Sequence, residues 1–302
     1  MPLDFDDRVP ASAGTVDGVD ATDTAGLTYR AFASADDATA CVALQAEIWG
    51  AAFADQVPAA LLRVATGIGG LALGAFDPDG ALVGFVFSLI GVRHGEAIHW
   101  SHMLAVRESA RGAGVGRRLK ELQRAELARR GIGRVLWTFD PLQARNAHLN
   151  FNRLGVRLVD YVENMYGITA SPLHHGLATD RLVVMLPTTP HPATPPAVTH
   201  ASNGAVPVLT PLPRAGDVMA DLDSAVPPVL SIEIPSDLQQ VVALTPDVAA
   251  TWRTATRGAF ARALRAGYEV TGLRRDHSTD RVFYVLVHPS PARASAASER
   301  AP

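Results

Sequence analysis

The chain has 302 residues, 48% of them hydrophobic, and a formal net charge of −3. That length and composition suit one large or two modest domains with a sizeable core, and the charge carries no basic footprint for nucleic acid. No apolar run approaches membrane-spanning length, the first residues form neither a basic nor an apolar leader, and the lone Cys41 has no internal disulfide partner. The expectation is a cytoplasmic protein with no membrane or nucleic-acid partner and no metal site.

In chain order, residues 1–26 are rich in Asp, Ala, Gly and Thr without periodicity and are expected to be a mobile arm. Leu27–Phe32 is predicted as a strand, and Asp36–Ile48 and Val57–Thr66 as helices, with Cys41 an inert thiol on an apolar helix face. Gly70–Phe76 and Ala81–Val92 flank Asp77-Pro78-Asp79-Gly80, a good hairpin turn. His99–Val106 alternates like a strand. Arg111-Gly112-Ala113-Gly114-Val115-Gly116 then opens an amphipathic helix that runs to Arg130, with Leu119, Leu122 and Leu127 on its apolar face. Arg134–Phe139 is a strand, Ala144–Leu154 a helix closed by Gly155, and Val156–Tyr161 and Arg181–Leu186 are strands. Residues 187–228 are proline-rich and suit a semi-rigid linker. Leu230–Ile234, a helix over Pro246–Ala266, and a hairpin of Glu269–Leu273 with Arg281–Val287 form a small αβ unit before a frayed tail at 290–302.

The glycine turn carries the chemistry. A glycine-rich turn that opens a helix presents unpaired N–H groups and the positive end of the helix dipole, which makes it an anion site. A nucleotide P-loop would need Lys and then Ser/Thr after its last glycine, whereas Arg117 and Arg118 follow Gly116.

The pattern Arg-x-x-Gly-x-Gly at Arg111–Gly116, behind a strand ending Leu104-Ala105-Val106, resembles the turn that holds the pyrophosphate of coenzyme A in the GNAT superfamily of N-acetyltransferases. The element order over residues 27–186 is similar to that superfamily's fold, an α/β (α+β) architecture with a mixed, splayed central sheet. The resemblance implies an acyl-CoA-dependent N-acyltransferase using acetyl-CoA or another acyl-CoA as co-substrate. Pantetheine would lie along Leu104, Ala105 and Val106, the pyrophosphate on Arg111, Gly112, Ala113, Gly114, Val115, Gly116 and Arg117, with Asn146 and Phe151 beside the cofactor. The superfamily's strand bulges there, and its backbone N–H groups polarise the thioester carbonyl.

For the amine's proton, His102 is the candidate base, two residues before Leu104 and on the same face if the strand alternates. A hydrogen-bonded structural histidine is the competing reading, and Glu96 an alternative base. The superfamily's tyrosine, four residues before the helix-ending glycine, is replaced by Phe151, so Tyr161 and Tyr166 are the remaining tyrosine candidates, for acid catalysis and the acceptor pocket respectively, with plain packing the competing reading of both. Thr138–Asn150, Ser231–Asp237 and Trp252–Tyr268 further resemble a bacterial family of predicted acetyltransferases with a C-terminal extension, some of which acylate amino acids, including with succinyl groups. This suggests a small amine or amino-acid acceptor, with Arg253 and Arg257, one helical turn apart, either a carboxylate clamp or simply a solvated or interface face. The competing class is a non-catalytic acyl-CoA-binding or assembly module. The apolar stripe of Trp252, Phe260 and Leu264 would be exposed on a tethered helix, so the C-terminal unit is expected to dock, in the same chain or across a homodimer.

Overall fold

A computed structural model describes residues 21–23, 26–51, 53, 55–167, 176–189, 206–215 and 217–289. Most of the expected arm, the central part of the expected linker and the tail lie outside those residues. The chain divides into two compact units, residues 1–137 with 186–190, and residues 138–185 with 191–302.

The first unit contains β1 (Ala21–Thr22), β2 (Thr28–Ala31), α1 (Ala35–Trp49), α2 (Ala59–Gly67), β3 (Leu71–Phe76), β4 (Leu82–Arg93), β5 (Glu96–Val106), α3 (Val115–Arg129) and the start of β6 (Arg134–Phe139). Its strands lie in the order β1-β2-β3-β4-β5-β6, antiparallel up to β5 and parallel between β5 and β6. This is the expected mixed α/β class. β4 and β5 meet at His94–Gly95, both at positive φ (54° and 79°), the backbone a tight two-residue hairpin requires. The sequence pattern stopped β4 at Val92 and started β5 at His99, because His94 is not a usual turn residue.

Ser34 caps α1 in a capping box with Asp37, which also receives a bidentate bond from Arg30. Helices α1 and α2 cover one face of the sheet, burying Cys41, Leu44 and Leu62 with Phe85, Phe87, Met103 and Ala105. Helix α3 covers the opposite face. It approaches β4 at Gly84, where a Cβ would lie 3.2 Å from Val115 and from the Ala105 carbonyl. A side chain at position 84 would push the helix off the sheet.

The second unit holds α4 (Ala144–Ala147), which continues as a π-helical turn over His148–Leu154, the hairpin of β7 (Arg157–Val162) and β8 (Arg181–Pro187), β9 (Val208–Leu209), β10 (Val229–Ile234), α5 (Leu238–Leu244), α6 (Pro246–Arg265), β11 (Glu269–Asp276) and β12 (Arg281–Val287). Its four-stranded sheet has the order β11-β12-β10-β9. Short β9 and α5 carry no periodic signal in the sequence, and periodicity does not separate the π turn from an α-helix over seven residues.

Helix α6 joins residues 138–185 within this unit. Trp252 and Phe260 are buried, Phe260 lies tilted against Tyr161 and edge-on to Tyr284, and the Asn152 side-chain amide exchanges two bonds of 2.8 Å with the Leu273 backbone. The stripe expected to seek a partner is thus covered by its own chain. Among the described residues, no helix is long and apolar enough to cross a membrane, and no group of three or more His, Cys, Asp or Glu side chains could hold a metal ion.

Candidate active site

The site of interest in the first unit is built on β5. Opposite β4, Phe87 pairs with Met103 and Ser88 with Ser101, which leaves His102 as the extra residue of a β-bulge. The bulge overturns the expectation that His102 and Leu104 share a face. Leu104 pairs with Val86 and borders Gly116 of α3. His102 instead stands edge-on to Phe87, with ring centroids 6.3 Å apart, and Phe87 belongs to the core under α1 and α2. Neighbouring strand residues point to opposite faces, so the unpaired residue has reversed the alternation. No sequence signal marks the bulge, because both faces of β5 carry buried residues.

His102 is exposed, yet the protein mass around its ring disfavours the imidazolium and holds its pKa below the ordinary histidine value, against the opposing charge of Asp55. It is therefore a neutral, accessible imidazole at neutral pH, the form that can accept a proton. Glu96, the alternative base, is an exposed carboxylate paired with Arg134 at 2.7 Å.

Pairing between β5 and β6 is confined to His99 with Val135 and Trp100 with Leu136. From Ser101 to Val106, that edge of β5 has no partner strand among the described residues. Leu104, Ala105 and Val106 form the end of this free edge, and the glycine turn follows. Gly112 and Gly114 sit at φ 88° and 82°, the left-handed region open to glycine. Gly114 is the N-cap of α3, and no side chain caps the first turn, so the amides that precede the first helical bond, from Arg118 to the Gly114 carbonyl, face outward from a helix start. Arg111 donates from Nε to the Val106 carbonyl at 3.1 Å. Arg117 pairs with Glu121 at 2.7 Å. Among the described residues, no carboxylate pairs with Arg111 or Arg118. Free amides and a helix dipole, with the Arg111 guanidinium beside them, suit the turn to an anion.

In the second unit, Asn146 is exposed on α4. Phe151 is buried in the π turn, edge-on to Phe139 and Tyr284. The Tyr161 hydroxyl donates to Asp180 at 2.7 Å. Burial, then the bond to Asp180, raises its pKa, so its proton is committed to that carboxylate. Tyr166 is half exposed, with its hydroxyl 3.2 Å from Thr138 Oγ1 and the Arg181 guanidinium over its ring. Arg253 is buried, and its two terminal nitrogens bind Asp140 at 2.8 and 2.6 Å. Arg257 binds Asp180 through Nε and a terminal nitrogen at 2.9 and 2.7 Å. Burial alone would raise Asp180, but the bonds from Arg257 and Tyr161 hold it below the usual carboxylate range. The structure thus brings Arg253 and Arg257 to one region, but on two internal carboxylates, Asp140 and Asp180, whose partnership sequence spacing could not show.

No protein-family model and no curated protein matches the sequence. Solved structures similar to part of this chain include the ribosomal-protein-S18-alanine N-acetyltransferase from Escherichia coli, 20% identical over 56% of this chain and 97% of that one, TM-score 0.42. A GNAT-family acetyltransferase from Streptococcus pneumoniae is 19% identical over 53% and 99%, TM-score 0.44. An aminoglycoside 6'-N-acetyltransferase complexed with coenzyme A is 17% identical over 54% and 98%, TM-score 0.42.

Proposed function

We propose that the chain is an acyl-CoA-dependent N-acyltransferase acting by direct transfer to a small amine or amino acid. The observation that carries this reading is the continuity of a bulged strand, its unpaired edge and an uncapped glycine turn. The turn takes the pyrophosphate on the α3 amides, with Arg111 supplying positive charge. The free edge of β5 takes the pantetheine arm as a strand would, through backbone groups that are otherwise left without a ladder partner. Amides on that edge polarise the thioester carbonyl as the amine attacks. His102 accepts the amine's proton, directly or through water, and the thiolate leaves unassisted because a thiol is far more acidic than an alcohol. Nothing in this sequence of steps needs a tyrosine acid, which accords with Phe151 at the superfamily's tyrosine position and with the engaged hydroxyl of Tyr161.

The test is a thiol-release screen of amino acids and amines against acetyl-CoA and succinyl-CoA, run beside calorimetry with acetyl-CoA. Gly116→Val is the informative loop variant. Gly116 is not at positive φ, and a Cβ there would meet Val106 and Leu104 at 3.7 and 3.8 Å, ordinary contact, so the added bulk crowds the cradle without straining the backbone. It should weaken acetyl-CoA binding at least tenfold. A wild-type protein that binds acetyl-CoA but never releases thiol in a single turnover would instead be the binding module. One that binds no acyl-CoA would refute both readings.

A further inference from the structure

Lys120 is the chain's only lysine, and it is buried in the first unit at the point where two strands part. The last paired residues of β5 and β6 are Trp100 and Leu136. The next residue on each strand is Ser101 and Trp137, and Lys120 holds both. Its Nζ donates to Ser101 Oγ at 2.7 Å and lies 3.7 Å from the centre of the Trp137 ring. Gln123, one turn further along α3, completes the cluster. Its Oε1 accepts from Nζ at 3.2 Å, and its Nε2 donates to Ser101 Oγ at 3.2 Å. Ser101, Lys120, Gln123 and Trp137 are all buried, and among the described residues no carboxylate pairs with Lys120.

A lysine sealed away from water without a counter-charge is costly. A methionine or leucine would fill the same space without that cost. Such a violation of local rules marks places where geometry matters more than stability. Here the geometry is that of the fork. Past Trp100 and Leu136, the side chain of Lys120 replaces the missing ladder bonds as the tie between β5 and β6, and it pins Ser101, the residue immediately before the His102 bulge.

We infer that Lys120 is a positioning residue for acyl transfer, fixing from the α3 side the width of the β5–β6 fork and the aim of the β5 edge at the thioester. The inference rests on the acyltransferase reading above. Lys120 touches neither substrate nor cofactor in this role. It acts through Ser101 and the bulge on one strand and through Trp137 on the other. Burial drives its pKa well below the ordinary lysine value.

A single lysine makes the test direct. Protein grown with lysine 15N-labelled at Nζ gives one side-chain signal, that of Lys120. It should titrate far below the range of a free lysine and shift when acetyl-CoA is added. Lys120→Met should lower kcat about 10²-fold, the cost of a misplacement near 1 Å, while acetyl-CoA affinity by calorimetry changes less than threefold because the glycine turn is intact. Ser101→Ala, which removes one tie and keeps the lysine, should lower kcat in the same direction by about tenfold. If Lys120→Met does not fold, Ser101→Ala and the wild-type signal decide. A kcat within threefold of wild type in either folded variant, or an Nζ signal indifferent to saturating acetyl-CoA, overturns the assignment and leaves Lys120 as a packing residue. Failure of the acyltransferase reading would look different, as a wild-type protein that neither binds acetyl-CoA nor releases thiol.

Discussion

The ion pair between Arg253 and Asp140 offers a decisive choice between a substrate clamp and a structural tie. Their side chains are 5% and 10% exposed, and two hydrogen bonds of 2.8 and 2.6 Å join them in the forked geometry of guanidinium and carboxylate. Arg253→Met fills the space but strands Asp140 as a buried carboxylate whose remaining bond is to the Leu142 amide at 2.8 Å. Removing one partner of a buried pair costs about 3–5 kcal/mol, whereas replacing both with apolar groups is near neutral. Arg253→Met should therefore lower stability by about 4 kcal/mol. Arg253→Met with Asp140→Leu should regain most of that, falling short by about 1 kcal/mol for the lost Leu142 bond. The assay is urea unfolding followed by circular dichroism, comparing midpoints at constant slope. A single variant within 1 kcal/mol of wild type would refute the structural reasoning, and if it also raised the KM of an amino-acid acceptor, Arg253 would belong to the acceptor site.

Four further outcomes follow from the same geometry. His99 is fully buried, with Nδ1 2.9 Å from Ser88 Oγ, and burial and then the charge of Arg130 lower its pKa to about 4. A lowered histidine pKa gives stability that is complete above the unfolded value near 6.5 and is lost as pH falls toward 4. About 2.5 units corresponds to roughly 3 kcal/mol, so urea midpoints should fall over that window in wild type and much less in a folded His99→Gln; equal slopes would count against it. Removing His102 as base should cost about 10²–10⁴-fold in kcat; because its pKa lies below the ordinary value, the acid limb of the wild-type rate profile should fall below pH 6.5 and vanish in His102→Ala. Tyr161→Phe should lower stability by about 2 kcal/mol through the lost bond to charged Asp180 while leaving kcat within threefold; a hundredfold loss of kcat in a stable variant would restore Tyr161 as an acid. Deleting residues 229–302 strips the partners of Asp140 and Asp180 and uncovers Phe151, so the product should aggregate, and a soluble, fully active truncation by gel filtration and thiol release would contradict the packing described.

The sequence by itself determined what depends on neighbours along the chain. Strands at Leu71–Phe76 and Arg134–Phe139 were legible from local composition, and the α3 start from glycines whose left-handed φ at 112 and 114 no other residue adopts cheaply. The anion cradle is legible for the same reason, since a turn and the helix it opens are contiguous. The tertiary structure decided what depends on residues distant in sequence. One unpaired residue at His102 turns its side chain to the opposite face from Leu104, and only the register with β4 reveals it. Arg253 and Arg257 look like a free pair on a helix face until Asp140, 113 residues away, and Asp180, 77 residues away, are brought against them. Lys120 reads as one more charge in an arginine-rich helix, and only the parting of β5 and β6 above it gives that side chain two strands to hold. Burial turns each of these polar groups from a solvated surface feature into a strong local constraint, and burial is a property of the assembled chain.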